Sequence, residues 1–176
     1  MPVNIYVRLH MLIYDLQQIQ QLSSAKEAEN IAFQEYLKSF NAQELDETVF
    51  SLNKNIEQEI DCTACGNCCK TLMINVTEER ADNLAEHLQL KRKEFDEKFL
   101  EKSSNGIMIV NKIPCYFLHE NKCSVYEHRF DGCREFPALY LPNFKKRLFT
   151  VFMHYDRCPI VFNVVEELKS TLSFIS

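Results

Sequence analysis

The sequence predicts an α+β protein that is mainly helical and contains a small, cysteine-rich β-hairpin region. Residues 12–60 contain no Gly, Pro or Cys, and their apolar side chains recur every three or four positions, which is typical of amphipathic helices. All eight cysteines lie beyond this stretch, four of them within residues 62–69. We therefore expect a helical N-terminal extension over residues 1–60 and a cysteine-cluster domain over residues 61–176.

Three helices are predicted before the first cysteine. The first begins near residue 12, and Ser24-Ala-Lys-Glu27 resembles a capping box, which predicts the start of a second helix. We expect these helices to form a hairpin that buries one face of the cysteine domain, with a docking arm for a partner protein as the alternative. The apolar positions that define the three helices are Leu12, Leu16 and Ile19, then Ile31, Phe33, Leu37 and Phe40, then Leu45, Val49, Leu52, Ile56 and Ile60.

The first four cysteines are predicted to lie in a loop, because Gly66-Asn67 favours tight turns. Ile74 and Val76 indicate a short strand after it. Thr77 is the predicted N-cap of a helix with an acidic first turn. A second charged helix should end near residues 103–106. The predicted apolar faces of these two helices are Ala81, Leu84, Ala85 and Leu88, and Phe95, Phe99 and Leu100.

The rest of the chain is predicted to contain strands and one final helix. Residues 107–110 are apolar and largely β-branched, and the segments 115–118 and 123–126 flank the polar turn His119-Glu-Asn-Lys122. We expect a β-hairpin here with one cysteine, Cys115 or Cys123, on each arm. Residues 147–154 are a further predicted strand. Pro159, directly after Cys158, is expected to open the last helix.

Charge and hydropathy exclude some functions. The chain has 25 acidic and 20 basic residues and a net charge of -5, which argues against a nucleic-acid partner. No apolar run approaches the roughly 18 residues of a membrane span. Residues 1–10 resemble no export signal, so we expect a cytoplasmic protein with reduced thiols. Translation from Met1 and translation from Met11 are both compatible with this pattern.

The cysteine spacing indicates metal binding. Thiolates hold zinc and iron–sulfur clusters, and a C-x2-C step wraps the chain around a metal ion. Here two such steps share Cys65, so we expect the cysteine region to be organised around zinc or iron, including a 4Fe–4S cluster among the candidates. The candidate ligands are all eight cysteines: Cys62, Cys65, Cys68, Cys69, Cys115, Cys123, Cys133 and Cys158.

Eight thiols can form two sets of four, either as two structural zinc sites or with one set holding a cluster. In the cluster alternative, C-x2-C-x2-C is the three-thiol step of bacterial ferredoxins, and Cys158-Pro159 resembles its remote fourth ligand. Adjacent Cys68 and Cys69 are expected to serve different sets, or one of them to remain a free thiol. The remaining set is then Cys69, Cys115, Cys123 and Cys133.

The order of these motifs resembles the CxxCxxCC cysteine-cluster family (YkgJ-like), a zinc- or iron-chelating domain. The resemblance covers roughly residues 62–160. It rests on the cysteine run, the segments that begin at Cys115 and Cys123, His128-Arg129 and Cys133-Arg134-Glu-Phe-Pro137. It implies metal chelation by cysteines and says little about a reaction. The family usually has Arg-Pro where this chain has Arg129-Phe130, which removes a fixed φ angle before Cys133.

Charged and imidazole side chains near the cysteines are secondary candidates. Arg129, Arg134 and Lys70 are possible cationic neighbours of the thiolates, and surface ion pairs are the alternative role. Three histidines are alternative ligands, although eight cysteines already suffice: His119, His128 and His154. We find no catalytic signature. A metal-chelating module is the leading interpretation, an iron–sulfur redox, sensor or accessory protein the alternative, and a dithiol catalyst the weakest.

Overall fold

The computed structural model describes residues 11–175. The predicted start site and the predicted lack of an export signal rest on residues 1–10, outside this range. The helices are α1 (Leu16–Ala25), α2 (Glu27–Leu37), α3 (Ala42–Glu59), α4 (Cys62–Cys65), α5 (Asn67–Thr71), α6 (Glu78–His87), α7 (Arg92–Phe99), α8 (Asp131–Glu135), α9 (Leu148–Met153) and α10 (Pro159–Thr171). The strands are β1 (Asn75–Val76), β2 (Leu100–Lys102), β3 (Met108–Val110), β4 (Leu118–His119) and β5 (Lys122–Cys123).

The protein is mainly helical with small antiparallel sheets, as predicted. It divides into two compact units: unit 1 joins the residues up to 60 to those from 139 onward, and unit 2 comprises residues 61–138. The division into domains at 1–60 and 61–176 stays a prediction from the sequence.

Unit 1 is helical, and two of its helices are capped at their N-termini by the side chain of the residue just before the helix. Asp15 accepts a hydrogen bond from the Gln18 amide, and Asn41 accepts from the amides at the start of α3. Helix α10 begins at Pro159 as predicted, and it packs against α3 and α1. The core consists of apolar side chains from all of these helices, including Ile19, Phe33, Leu37, Leu45, Val49, Ile56, Val164, Val165 and Leu168.

Two local predictions in unit 1 were wrong. Helix α2 does begin at Glu27, but Ser24 lies inside α1 and its hydroxyl donates to the Gln20 carbonyl, so no capping box forms there. Within the predicted strand 147–154, Leu148–Met153 form helix α9, preceded by a 3-10 turn at Phe144–Arg147. Leu148, Val151 and Tyr155 are buried three and four positions apart, which is helical spacing. In a strand, Leu148 and Val151 would face opposite sides.

A buried cation lies between α2 and α10 of unit 1. Lys169 is 5% exposed, and its Nζ donates to Glu29 Oε1 at 2.7 Å, Asn30 Oδ1 at 2.6 Å and Glu166 Oε1 at 2.7 Å. Tyr155 also donates to Glu166 Oε1, at 2.7 Å. Burial raises the pKa of Glu166, but its cationic and phenolic donors outweigh burial and lower it overall. These side chains form a fully paired polar network inside the helical core.

Unit 2 has a three-stranded antiparallel sheet in the order β1-β3-β2 beside α6 and α7. The predicted strand near residues 74–76, the strand within 107–110 and the Thr77 cap are confirmed, and Thr77 accepts from the Arg80 amide. Leu100, predicted as helical, begins β2 and pairs with Val110. The sheet and helices bury a common core that includes Val76, Ala81, Leu84, Phe95, Phe99, Met108, Val110 and Phe130.

A hairpin is present in unit 2 as predicted, but its strands are shorter than expected, and Cys115 lies before β4, so only Cys123 is on an arm. Strands β4 and β5 pair antiparallel, Leu118 with Cys123 and His119 with Lys122. Glu120 and Asn121 both have positive φ, 47° and 66°, which is the backbone of a tight two-residue hairpin turn. Between residues 11 and 175, no helix is both long and apolar enough to cross a bilayer.

Candidate metal centre

The first four cysteines lie on two short helices rather than in the predicted loop. Cys62 and Cys65 begin and end α4, and Cys68 and Cys69 lie in α5. Gly66 separates the helices with φ 59°, a left-handed conformation that glycine adopts without strain. The Asp61 side chain caps α4 by accepting from the Thr63 amide at 2.8 Å. The sequence analysis expected tight turns at Gly66-Asn67; the chain does turn at Gly66, but Asn67 already belongs to α5, and the short helices on both sides were missed.

Gly66 is also where the cysteine helices contact the hairpin. A Cβ atom added at this position would lie 2.7 Å from the Asn121 carbonyl oxygen, closer than real Cβ contacts allow. Helix α4 also contacts strand β5 of the hairpin. Glycine is therefore required here both for its φ angle and for the close backbone approach.

We expect Gly66→Ala to destabilise unit 2 by roughly 1–3 kcal/mol, because alanine adds backbone strain and a clash that only movement of the hairpin can relieve. Chemical unfolding followed by circular dichroism measures the change. Gly106→Ala is the matched control: Gly106 also has positive φ, 85°, but a Cβ there would meet no atom within 4 Å. Equal losses in the two variants would show that the contact with Asn121 contributes nothing.

Four thiols from three separate segments line one small cavity in unit 2. They are Cys68 and Cys69 from α5, Cys115 from the segment three residues before β4, and Cys133 from α8. The Cys115 amide donates to the Cys69 carbonyl at 2.8 Å, which joins two of these segments directly. The cavity measures about 30 Å³, and its other lining residues are mainly apolar: Leu72, Ile74, Val110, Lys112, Phe130 and Phe136.

Cys123, on β5, belongs to the same group electrostatically. Its charge contributes to raising the pKa of Cys69, Cys115 and Cys133. We call Cys68, Cys69, Cys115, Cys123 and Cys133 the inner thiols. They include Cys69, Cys115, Cys123 and Cys133, the four cysteines that remain when Cys62, Cys65, Cys68 and Cys158 are assigned to a cluster. Within the described residues no three Cys, His, Asp or Glu side chains already form a group that could hold a metal ion, so four of these thiols line a cavity, with Cys123 outside its lining, and the five form no closed coordination shell.

Backbone amides donate to two of the inner sulfurs in the same way. The Phe117 amide donates to Cys115 and the Val125 amide to Cys123, in each case two residues further along the chain. Such N–H donors stabilise a thiolate. The sequence analysis missed them, although the repeated pattern Cys-x-apolar at 115–117 and 123–125 is visible in the sequence.

Burial raises the pKa values of most of the inner thiols, so these thiols ionise less readily unless a positive charge lies nearby. Burial, followed by the charges of Cys115, Cys68 and Cys123, raises the pKa of Cys133 to about 12. Burial is also the main reason why the pKa values of Cys115 and Cys123 are raised. Cys68 differs, because a hydrogen bond from the Cys69 thiol lowers its pKa to about 7 while raising that of Cys69.

The cationic neighbours expected from sequence differ in what they contact. Arg129 lies near the inner thiols, since its charge opposes the raised pKa of both Cys123 and Cys133, and its guanidinium stacks 3.7 Å from the Tyr126 ring. Arg134 instead donates to the backbone carbonyls of Arg129 and Glu127 and so fixes the turn before α8. Phe130 has φ −59°, the value that proline would fix, so the Arg-Phe departure keeps this geometry.

The remaining sequence candidates lie elsewhere. Cys62 is exposed and Cys65 half-buried on α4, and neither lines the thiol cavity. Cys158 is buried in unit 1 at the N-cap of α10. His128 stacks on His87 with ring centroids 3.8 Å apart, His119 is exposed on β4, and His154 belongs to unit 1.

Comparison with known protein families identifies this arrangement of cysteines. A family model described as "CxxCxxCC: Putative zinc- or iron-chelating domain" matches residues 61–158, more than half of the chain. The chain belongs to this family. The matched region contains all eight cysteines, and it includes the whole of unit 2 together with the first part of the C-terminal segment of unit 1. No curated protein and no solved structure matches the chain significantly.

The donor set fits the metals in the family description. The thiols that line the cavity are soft sulfur donors of the kind that suits zinc and iron, and the cavity is large enough for an ion. Metal binding in the general sense is supported by the family, which is described as zinc- or iron-chelating.

Proposed function

We propose that unit 2 chelates zinc or iron through thiolates drawn from the inner thiols, and that the bound metal ties α5, the hairpin and α8 together. The observation that carries the proposal is the convergence of Cys68, Cys69, Cys115 and Cys133 on one apolar cavity from segments up to 65 residues apart. Apolar packing alone does not require so many thiols at one point. A metal cross-link gives each of them a role.

The electrostatics of the site support a cationic occupant. Burial first, and then the repulsion between neighbouring thiolates, raises the pKa values of Cys115, Cys123 and Cys133. A divalent cation reverses this balance and displaces the thiol protons. The Phe117 and Val125 amides and the Arg129 guanidinium then offset the negative charge that four thiolates leave around one zinc ion.

An iron–sulfur protein that acts in redox chemistry, sensing or support of a modifying enzyme is the second candidate. It is favoured by the C-x2-C-x2-C step, whose three thiols follow one another on α4 and α5. In that case Cys62, Cys65 and Cys68 ligate iron. When bound, a cluster would supply one-electron redox chemistry, which zinc cannot provide.

One experiment tests the proposal and separates the two metals. The full chain is purified anaerobically, and absorbance, metal content and acid-labile sulfide are measured on the same sample. A colourless protein with stoichiometric zinc supports the chelating module. Iron with sulfide and a broad absorbance near roughly 400 nm that bleaches on reduction supports the cluster. A folded chain that contains neither metal, and takes up neither when they are added, would overturn metal chelation.

A further inference from the structure

We propose that Cys62 and Cys65, which we call the outer thiols, form an exchange pair that receives a thiophilic metal ion from a thiolate-bearing donor and passes it to the inner thiols. This inference rests on the proposed function of unit 2. It assigns the two groups of cysteines different roles: the inner thiols retain the metal, and the outer thiols govern how quickly it enters and leaves.

The first argument is accessibility. Cys62 is exposed, and Cys65 is half-buried like the inner thiols but lies outside the cavity that Cys68, Cys69, Cys115 and Cys133 line. The two outer thiols are three residues apart in a single helical turn, so their side chains lie on the same face of α4. A donor molecule can therefore reach Cys62 from solvent and meet Cys65 on the same helix face, whereas it is too large to enter the 30 Å³ cavity.

The second argument is continuity with the inner thiols. Helix α4 contacts β5, the strand that contains Cys123, and it leads through Gly66 directly into α5, which contains Cys68. The close approach of Gly66 to the Asn121 backbone holds this arrangement in place. The outer thiols thus lie on a helix that contacts β5, the strand of Cys123, and leads into α5, the helix of Cys68.

The third argument is the chemistry of the pair. Metal ions move between thiolate sites by stepwise ligand exchange: a new sulfur–metal bond forms as a donor sulfur leaves. Each arriving thiol releases one proton to solvent and each departing thiolate takes one up, so the metal keeps its charge and no oxidant or reductant is required. The Asp61 carboxylate does not compete as a ligand, because it accepts from the Thr63 amide at 2.8 Å and the Thr63 hydroxyl at 2.6 Å.

The test compares how much metal the protein holds with how fast it acquires it. The double variant Cys62→Ser/Cys65→Ser and the wild type are stripped of metal and mixed anaerobically with the zinc–glutathione complex. Elemental analysis gives the final stoichiometry, and the rate of uptake is followed by rapid filtration. Ala64→Ser, an exposed substitution between the two thiols on α4, is the control for local disturbance of the helix.

We expect the double variant to reach the wild-type stoichiometry but to load about tenfold or more slowly, because accessible thiolates control such exchange. Ala64→Ser should load at the wild-type rate. Lower final stoichiometry in the double variant would make the outer thiols resident ligands, and unchanged loading would make them bystanders. Either result overturns the exchange role and leaves the proposed function intact. A wild-type protein that takes up no metal overturns both.

Discussion

Replacing Cys133 by alanine should remove metal from the inner thiols. Cys133 lies on α8, far in sequence from the cysteine run, and its burial and thiolate neighbours raise its pKa to about 12. Cys133 is the one inner thiol on α8, so its loss leaves the cavity without a sulfur from that helix. We expect affinity to fall by more than the 10- to 100-fold that typically follows the loss of a ligand's hydrogen-bond partner.

The measurement is a competition titration with a chromogenic chelator, together with the stoichiometry of the purified variant. Leu84→Ala is the matched control, because Leu84 is fully buried in the core of the same unit but contributes no ligand. It should cost roughly 2–5 kcal/mol of stability and still bind the full amount of metal. If Cys133→Ala retained wild-type affinity, the inner thiols would not include Cys133 as a ligand.

The parts of the fold that the sequence predicts well are those set by local chemistry. Thr77 caps α6 and Pro159 opens α10 because each residue type favours that position regardless of distant contacts. The polar turn between Cys115 and Cys123 closes a hairpin for the same reason. Helix α9 was mistaken for a strand, since its apolar run shows no clear period. Its helical pattern becomes visible only from burial in the fold, where Leu148 and Val151 are buried and Phe149 is exposed.

The candidate site was only partly predictable. Cysteine type and spacing indicate a metal, and the family match supports that conclusion. Spacing does not show which thiols converge, because Cys69, Cys115 and Cys133 meet only through the folding of unit 2. The network around Lys169 was missed for a related reason. Its partner Glu29 lies 140 positions away, and each residue alone looks like an ordinary charge on a helix surface.

Lys169→Met should destabilise unit 1 by roughly 3–5 kcal/mol, the usual cost of breaking a buried ion pair by removing one partner. Methionine preserves most of the length of the side chain, so the loss arises from charge. Without the ammonium group, the carboxylates of Glu29 and Glu166 each lose a donor at 2.7 Å, and Asn30 loses one at 2.6 Å. Urea unfolding monitored by circular dichroism measures the effect.

Lys38→Met provides the matched control. Lys38 also forms an ion pair, with Glu35 at 2.6 Å, but both side chains are more than half exposed, so we expect a change within about 1 kcal/mol. The double variant Lys169→Met/Glu166→Gln should recover part of the stability lost in the single variant, because it no longer leaves a second carboxylate without its main partner. If Lys169→Met were as mild as Lys38→Met, the buried network would contribute little to the helical unit, and apolar packing between α2 and α10 would be sufficient to hold it.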